Sequence, residues 1–373
     1  MSTASLDSSV GEVPHVTHRL FDGREIVFFS HDRGQLPVQL HDPRPPADRA
    51  GHGHLRQDPL TGDWIALATH RQNRTHLPPA DQCPLCPMQP GRETEIPADF
   101  DVVAFENRFP SLGPELVELP GPDTPPQVGV TYPAGGRCEV LVFTPEHEGS
   151  LAGLDPARVQ LVIRALAQRT RALSALPGIK QVFPFENRGE QIGTTLHHPH
   201  GQIYAYPYVT PTALKTAQRA AEHLRTTGRT LHQDLLEFEQ ESGERMITSG
   251  EYVSAYVPWA GRWPLEVHVV PHRHVPDLAA LEPAELDELA TVVQDVLTRL
   301  DALYPSPTPY IAAWHQAPLV EGLREASRLH LQIVSPRRAE HKLKFLAGSE
   351  AAMGAFIGDV SPEETAARLR SAI

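Results

Sequence analysis

Residues 194–207 read TTLHHPHGQIYAYP, setting His197, His198 and His200 within four positions and Gln202 two residues further on. In an extended strand, residues two apart share a face. His198, His200 and Gln202 would line one side, with His197 and Gly201 on the other. Pro199 has no N–H for a ladder and holds His198 extended, which suits the entrance or edge of a sheet. Gly201 permits close approach of a ligand. A neutral imidazole, with an ordinary pKa of about 6.5, is largely unprotonated at neutral pH. It can attack phosphorus and leave again, dividing one transfer into two easier steps. A histidine at position 202 would be able to protonate a leaving group and favour hydrolysis. Gln202 is no acid, but its amide can hydrogen-bond a phosphoryl oxygen. The pattern points to transfer between two phosphate esters, with His200 as nucleophile.

A second group is CPLC, Cys83 to Cys86, whose spacing is that of half a structural zinc site. His147 and His198 are candidates to complete it, and such a site would pin the backbone two residues before His200. Redox pairing of the two thiols is the rival reading. Cys138 is left over and reads as a buried apolar filler. Arg71 and Arg74, in THRQNRTHLPP, are three apart in a loop, and arginine matches phosphate geometry through paired donors. Taken alone they would be solvated surface charges.

These residues need a scaffold, and the chain holds an internal repeat. EVLVFTPEHEGSLAGLDPA (Glu139–Ala157) aligns without a gap on EVHVVPHRHVPDLAALEPA (Glu266–Ala284), matching Glu139 with Glu266, His147 with His274 and Leu154 with Leu281. Each copy opens as an apolar strand and ends in an acidic residue plus proline, a helix start in which Asp155 caps Pro156 and Glu282 precedes Pro283. Apolar residues then recur at helical spacing: Val159, Val162, Leu166 and Leu173, and Leu286, Leu289, Val293, Leu297 and Leu300. Strands follow in both copies, KQVFPFEN and HGQIYAYP, then YIAAWH and LHLQIVSP. With a small gap, His200-Gly201-Gln202 matches His330-Leu331-Gln332. The expectation is a duplicated antiparallel α+β unit, active in residues 52–210 and diverged in 211–373. Residues 1–51 form an extension containing one strand-like run, REIVFFS.

Composition bounds the partners. The 373 residues suit two or three domain-sized units, and a net charge of −13 argues against nucleic acid while leaving room for a small anionic substrate. No apolar run approaches the roughly 18 residues of a membrane span. The start, MSTASLDSSVGEVPH, lacks the basic and apolar regions of a secretory signal and reads as a frayed cytoplasmic terminus. Three cysteines give no disulfide framework, and 37 prolines imply many rigid loops.

HPHGQ, together with DPLTGDWI, HRQNR, CPLC, FTPEH, VFPFENRG, WHQAP and KFLAGSE in that order, resembles the galactose-1-phosphate uridylyltransferases, the transferase branch of the histidine-triad superfamily. The resemblance covers about residues 52–373. It implies a fold of two tandem histidine-triad-like units. It implies transfer of UMP from UDP-glucose to galactose 1-phosphate through a uridylyl-histidine, by ping-pong half-reactions. His200 falls on the nucleophile and Gln202 on the glutamine that contacts the phosphoryl group. Thr195 takes the place of a serine near the phosphates. Arg71 and Arg74 match phosphate-binding arginines that reach in from a partner subunit, implying a homodimer with a shared site. Phe105, Asn107, Asn187 and Gly193 fall on nucleotide-pocket positions, and Lys344 and Glu350 on positions near the hexose. Cys83, Cys86, His147 and His198 match zinc ligands. Some members hold a second, iron-type metal on one glutamate and three histidines. Here His274 and His330 match two of those, Gln332 replaces the third and Thr216 stands near the glutamate. That argues against a second metal unless Glu222 or His272 serves by a shifted geometry. The segment GSEAAMGAFIGDVSPE lacks the family's glutamine at the hexose. The alternatives are an ADP-glucose or dinucleotide phosphorylase on the same fold, or a nucleotide-sugar sensor without turnover.

Overall fold

The computed structural model describes residues 13–47, 49, 53–73, 75–120, 124, 125 and 127–373. Arg74 and residues 1–12 lie outside the described residues. The helices are α1 (Pro156–Ser174), α2 (Pro211–Thr227), α3 (Leu231–Ser242), α4 (Pro283–Ala302), α5 (Ser349–Met353) and α6 (Pro362–Arg370). Asp155 caps α1 by accepting the Ala157 N–H at 2.9 Å. At α4 the Glu285 carboxylate accepts the Glu282 N–H at 2.7 Å. All nine apolar positions picked out by helical spacing are buried.

The strands are β1 (His15–Arg19), β2 (Glu25–Phe29), β3 (His54–Gln57), β4 (Trp64–Leu67), β5 (Val102–Glu106), β6 (Thr131–Pro133), β7 (Arg137–Val142) and β8 (Gln181–Arg188). They continue as β9 (His200–Tyr206), β10 (Met246–Ser249), β11 (Val253–Tyr256), β12 (Leu265–Pro271), β13 (Tyr310–His315), β14 (His330–Ser335), β15 (Arg337–Ala339) and β16 (Lys342–Leu343). Eleven of them form one sheet in the order β1-β2-β5-β7-β9-β8-β13-β14-β12-β11-β10, and every neighbouring pair is antiparallel. Read inward from either side, β2-β5-β7-β9-β8 and β10-β11-β12-β14-β13 are the same arrangement. An approximate twofold therefore stands where Phe185 of β8 faces Ala313 of β13. Phe185 also faces Gln202, and Ala313 faces Gln332, so the two His-x-Gln strands are counterparts. The duplicated antiparallel α+β unit read from the sequence is the observed architecture.

Helices α1 and α4 cover one face of the sheet. Their apolar sides share a core with Ile203 and Ala205 of β9 and Leu331 and Ile333 of β14. Each leucine and isoleucine among them contributes roughly 1.5–3 kcal/mol on burial. Because side chains alternate along a strand, His200 and Gln202, and equally His330 and Gln332, are left on the opposite face.

The gapless repeat needs a correction in its strand portion. Leu151 and Leu278 are equivalent and both buried. On the sheet, however, Val140 faces Gln202 whereas His268 faces Gln332, a one-residue offset from the alignment. Glu139 consequently turns to the helix side, bonding Arg169 of α1, while Glu266 turns to the other side, bonding Gln332. Apolar composition hides such a slip, since valines and leucines fit either face.

Residues 15–29 pair through β2 to β5, with Phe28 and Phe29 buried, so this part of the stretch set apart in sequence belongs to the main sheet. A small sheet, β4-β3-β6, lies beside it. Among the described residues no helix is long and apolar enough to cross a membrane.

Candidate active site and metal centre

Strand β9 starts at His200, directly after Pro199, and lies between β7 and β8. The proline thus stands at a strand entrance but in the middle of the sheet, and its carbonyl still accepts the Phe143 N–H at 3.1 Å. The expected role of Gly201 changes. A Cβ there would lie 3.1 Å from both Phe143 Cζ and the Phe185 carbonyl oxygen, so the glycine serves packing on the helix side rather than approach of a ligand. His200 Nδ1–H donates to the His198 carbonyl at 2.7 Å, which fixes the tautomer and leaves the Nε2 lone pair free. Burial holds the His200 pKa below its usual value, so the ring is neutral at pH 7.

Cys83, Cys86, His147 and His198 converge, with one donor atom from each lying within 4.8 Å of the others. Cys86 Sγ is 3.6 Å from Nδ1 of both His147 and His198, and Cys83 Sγ is 3.8 Å from His198 Nδ1. His198 Nε2–H donates to the Thr144 carbonyl at 2.7 Å, which turns Nδ1 toward the sulfurs. Burial pushes the Cys83 thiol up to about 11 and His198 down to about 4, so without a cation these two would stay uncharged. A metal ion reverses that preference for the thiols. This group can hold a metal, and no second group converges in this way among the described residues.

Two cavities flank His200. One, of about 220 Å³, is lined by Arg71, Phe105, Asn107, Thr195, His200 and Gln202 among others. The other, of about 460 Å³, is lined by Glu186, Asn187, Thr194, His197, His198 and His200 among others. In the first, Arg71 Nη1 donates to Ser111 Oγ at 2.7 Å and to Tyr204 OH at 3.2 Å. Tyr204 OH in turn donates to Gln202 Oε1 at 3.3 Å, which leaves the Gln202 NH2 available to a ligand. The resemblance brings the arginines from a partner; here the chain's own Arg71 lines the cavity. Gly193 lines neither cavity and ends a short turn with φ 83°. Lys344 and Glu350 also line neither. They pair at 2.7 Å, and Lys344 Nζ further donates to the carbonyls of Arg262 and Ile357.

Two site residues went unnoticed in sequence. Tyr204 carries the same alternation as His200 and Gln202, and that signal alone would have found it. Glu186 sits in the run VFPFENR as a lone acid. Burial raises its pKa to about 7, and Tyr310 OH donates to it at 3.0 Å.

The counterpart site is arranged differently. His330 is approached by His315, His268 and His232, at ring separations of 4.7, 5.3 and 5.7 Å. His315 Nε2–H donates to Gln332 Oε1 at 3.0 Å, and Gln332 Nε2 donates to Glu266 at 2.7 Å. His274, Thr216, Glu222 and His272, the residues weighed with His330 for a second metal, each have another partner. His274 bonds the Glu325 carbonyl, Thr216 its own helix, Glu222 Arg225, and His272 Ser254 and Glu251.

Comparison with known proteins adds three findings. Family models described as galactose-1-phosphate uridyl transferase, N-terminal domain and C-terminal domain, match residues 44–210 and 215–373. Galactose-1-phosphate uridylyltransferase of Streptomyces lividans is 43% identical over 94% of this chain and 96% of its own length, and that of Thermotoga maritima 35% identical over 85% and 97%. A solved structure described as uridylyltransferase superposes with a TM-score of 0.73 at 32% identity, covering 86% of this chain and 98% of that one.

Proposed function

The chain belongs to the galactose-1-phosphate uridylyltransferase family, and from that premise we propose how its residues carry the transfer of UMP from UDP-glucose to galactose 1-phosphate. His200 Nε2 attacks the α-phosphorus of UDP-glucose, the bond from that phosphorus to the bridging oxygen breaks, and glucose 1-phosphate leaves. A phosphate oxygen of galactose 1-phosphate then attacks the same phosphorus, the P–N bond breaks, and UDP-galactose leaves with His200 restored. The observation that carries this reading is the His200 hydrogen bond to the His198 carbonyl, which leaves Nε2 unprotonated beside two cavities. Gln202 NH2 binds the phosphoryl oxygens, steadied through Tyr204 by Arg71, with Thr195 and Arg74 as further phosphate ligands. Phe105, Asn107, Asn187 and Gly193 belong to the nucleotide side.

Cys83, Cys86, His147 and His198 are the residues that would hold zinc. Two thiolates and two imidazoles are a tetrahedral zinc donor set, and the Thr144 carbonyl fixes the His198 tautomer that such a site requires. Zinc there would supply cross-linking rather than chemistry. His198 is tied to the CPLC loop, and the carbonyl that orients His200 is tied with it.

Lys344 and Glu350 would meet the hexose across a homodimer. Phe345 and Met353, 74% and 81% exposed in the same segment, are the kind of apolar surface that a second copy covers. Three free, buried cysteines suit a cytoplasmic setting. Incubation with UDP-glucose alone, followed by mass spectrometry of the intact chain, should reveal a uridylyl adduct that galactose 1-phosphate discharges. Folded enzyme that turns over without ever forming the adduct would overturn the proposal.

A further inference from the structure

The second half carries an unneutralised buried cation. Arg328 is 2% exposed, and its Nε and Nη2 have no hydrogen-bond partner among the described residues. Among the described residues no carboxylate acts on it, only Tyr256; burial lowers its pKa to about 10, which still leaves it charged at neutral pH. A lone buried charge is costly unless something of opposite sign meets it. The Leu329 N–H donates to the Val275 carbonyl at 2.8 Å, which brings the segment of Arg328 against that of His274, and the His232 ring of α3 lies 5.7 Å from that of His330; among the described residues each of the two histidines has an Nδ1 without a partner. The nearby acids are engaged elsewhere. Glu266 holds Gln332 and the Arg262 and Trp263 N–H groups, Glu239 pairs with Arg245, and Glu285 with Arg273.

The twofold gives this cluster its meaning. Arg328 lies two residues before His330, as His198 lies two before His200, and His274 matches His147 in the repeat. The place that holds the sulfur and imidazole donors in the first half thus holds a fixed positive charge in the second. A metal cation would be repelled there, and an anion attracted. We infer that Arg328, His232 and His274 form a binding site for a small inorganic anion, phosphate or chloride, which neutralises the guanidinium and ties α3 to β14. Binding draws protons onto the two imidazoles, so affinity rises as pH falls. The site stands apart from the transfer reaction and does not depend on it.

The test uses the full-length, metal-loaded protein exchanged into a buffer free of phosphate and chloride, with isethionate holding ionic strength constant. Phosphate or chloride is titrated in, and Tm is read by scanning calorimetry for wild type, Arg328→Met and His232→Leu. One of the two anions should raise the wild-type Tm by about 2 °C or more. That rise should vanish in Arg328→Met and shrink in His232→Leu, and it should grow between pH 8 and pH 6. Phosphate bound near His200 shifts all three proteins alike and cancels in the difference. An equal rise in wild type and Arg328→Met for both anions overturns the inference, as does a second metal ion per chain that His330→Asn removes. If Arg328→Met does not fold, His274→Leu makes the same comparison.

Discussion

Strand β9 and its counterpart β14 carry the same pair of side chains, His200 with Gln202 and His330 with Gln332, yet the surroundings divide their fates. At β9 the face away from the helices is open, with a cavity on either side of His200. At β14 the same face is filled. His315 stands where the twofold puts Asn187, and His268 stands where it puts Val140. Both rings lie against His330, and His232 approaches it from α3. Gln332 engages both ends of its amide, one with His315 and one with Glu266, whereas the Gln202 NH2 remains available. A His-x-Gln pair is therefore not a site by composition. Open space and uncommitted donors make it one: a cavity on either side of the imidazole and two amide N–H bonds without a partner among the described residues.

The largest effect should come from breaking that asymmetry at the histidines. His200→Gly should lower uridylyl transfer on the order of 10⁴-fold or more, while His330→Asn stays within about tenfold. Steady-state kinetics with UDP-glucose and galactose 1-phosphate measures both, and equal losses would mean that the halves are not divided as argued. Cys83→Ser comes next. It should lose the metal and on the order of 3–5 kcal/mol of stability, whereas His330→Asn should leave metal content unchanged. Atomic emission on the purified proteins, with denaturant titration beside it, reads both quantities.

What the sequence made legible followed periodicity and ligand chemistry. Alternation about His200 and three- and four-residue steps in α1 and α4 are local patterns, and each reappears as one buried or exposed face. The four residues that could hold a metal could be paired because few residue types bind metal, although His147 and His198 come from different elements. The one-residue slip between β7 and β12 stayed hidden because Val and Leu satisfy either face. The filling of the second site was equally silent. His232 lies on a helix 98 residues before His330, and only the fold brings them together. Arg71 in its own chain's cavity depends on a loop path that no periodicity encodes.

Between the glutamines the expected contrast is smaller and differs in kind. Gln202→Ala removes a donor from the phosphoryl oxygens and should cost about 10²-fold in kcat. It should slow both half-reactions, as seen by single-turnover formation and discharge of the adduct. Gln332→Ala strands His315 and Glu266 without their partner. It should cost about 1–3 kcal/mol of stability and little activity. A Gln332 variant that slows either half-reaction as much as the Gln202 variant would show that the second site reaches the chemistry.

Acid separates the halves by a gentler route. Burial lowers the pKa of His232 to about 3 and of His315 to about 4, and it lowers those of His274 and His330 as well. Outside its metal group, the first half has one such ring among the described residues, His200. These rings are neutral in the fold but take protons near pH 6.5 once unfolded. The unfolded state thus binds more protons below that pH, and stability falls from about pH 6.5 toward 4. Glu139 behaves in the opposite sense. Burial alone would raise its pKa, but Arg169 and Arg137 hold it below the usual value. Its contribution is present above the unfolded carboxylate pKa of about 4.3 and is lost only as pH falls through the lower folded value. Between pH 6.5 and 5 the loss should therefore concentrate in the second half, where amides of β12 and β14 should exchange before those of β7 and β9. His232→Leu should flatten the slope by about 1–2 kcal/mol at pH 5 relative to pH 8. An unchanged slope would mean that His232 is already charged in the fold, as an anion bound at Arg328 would allow.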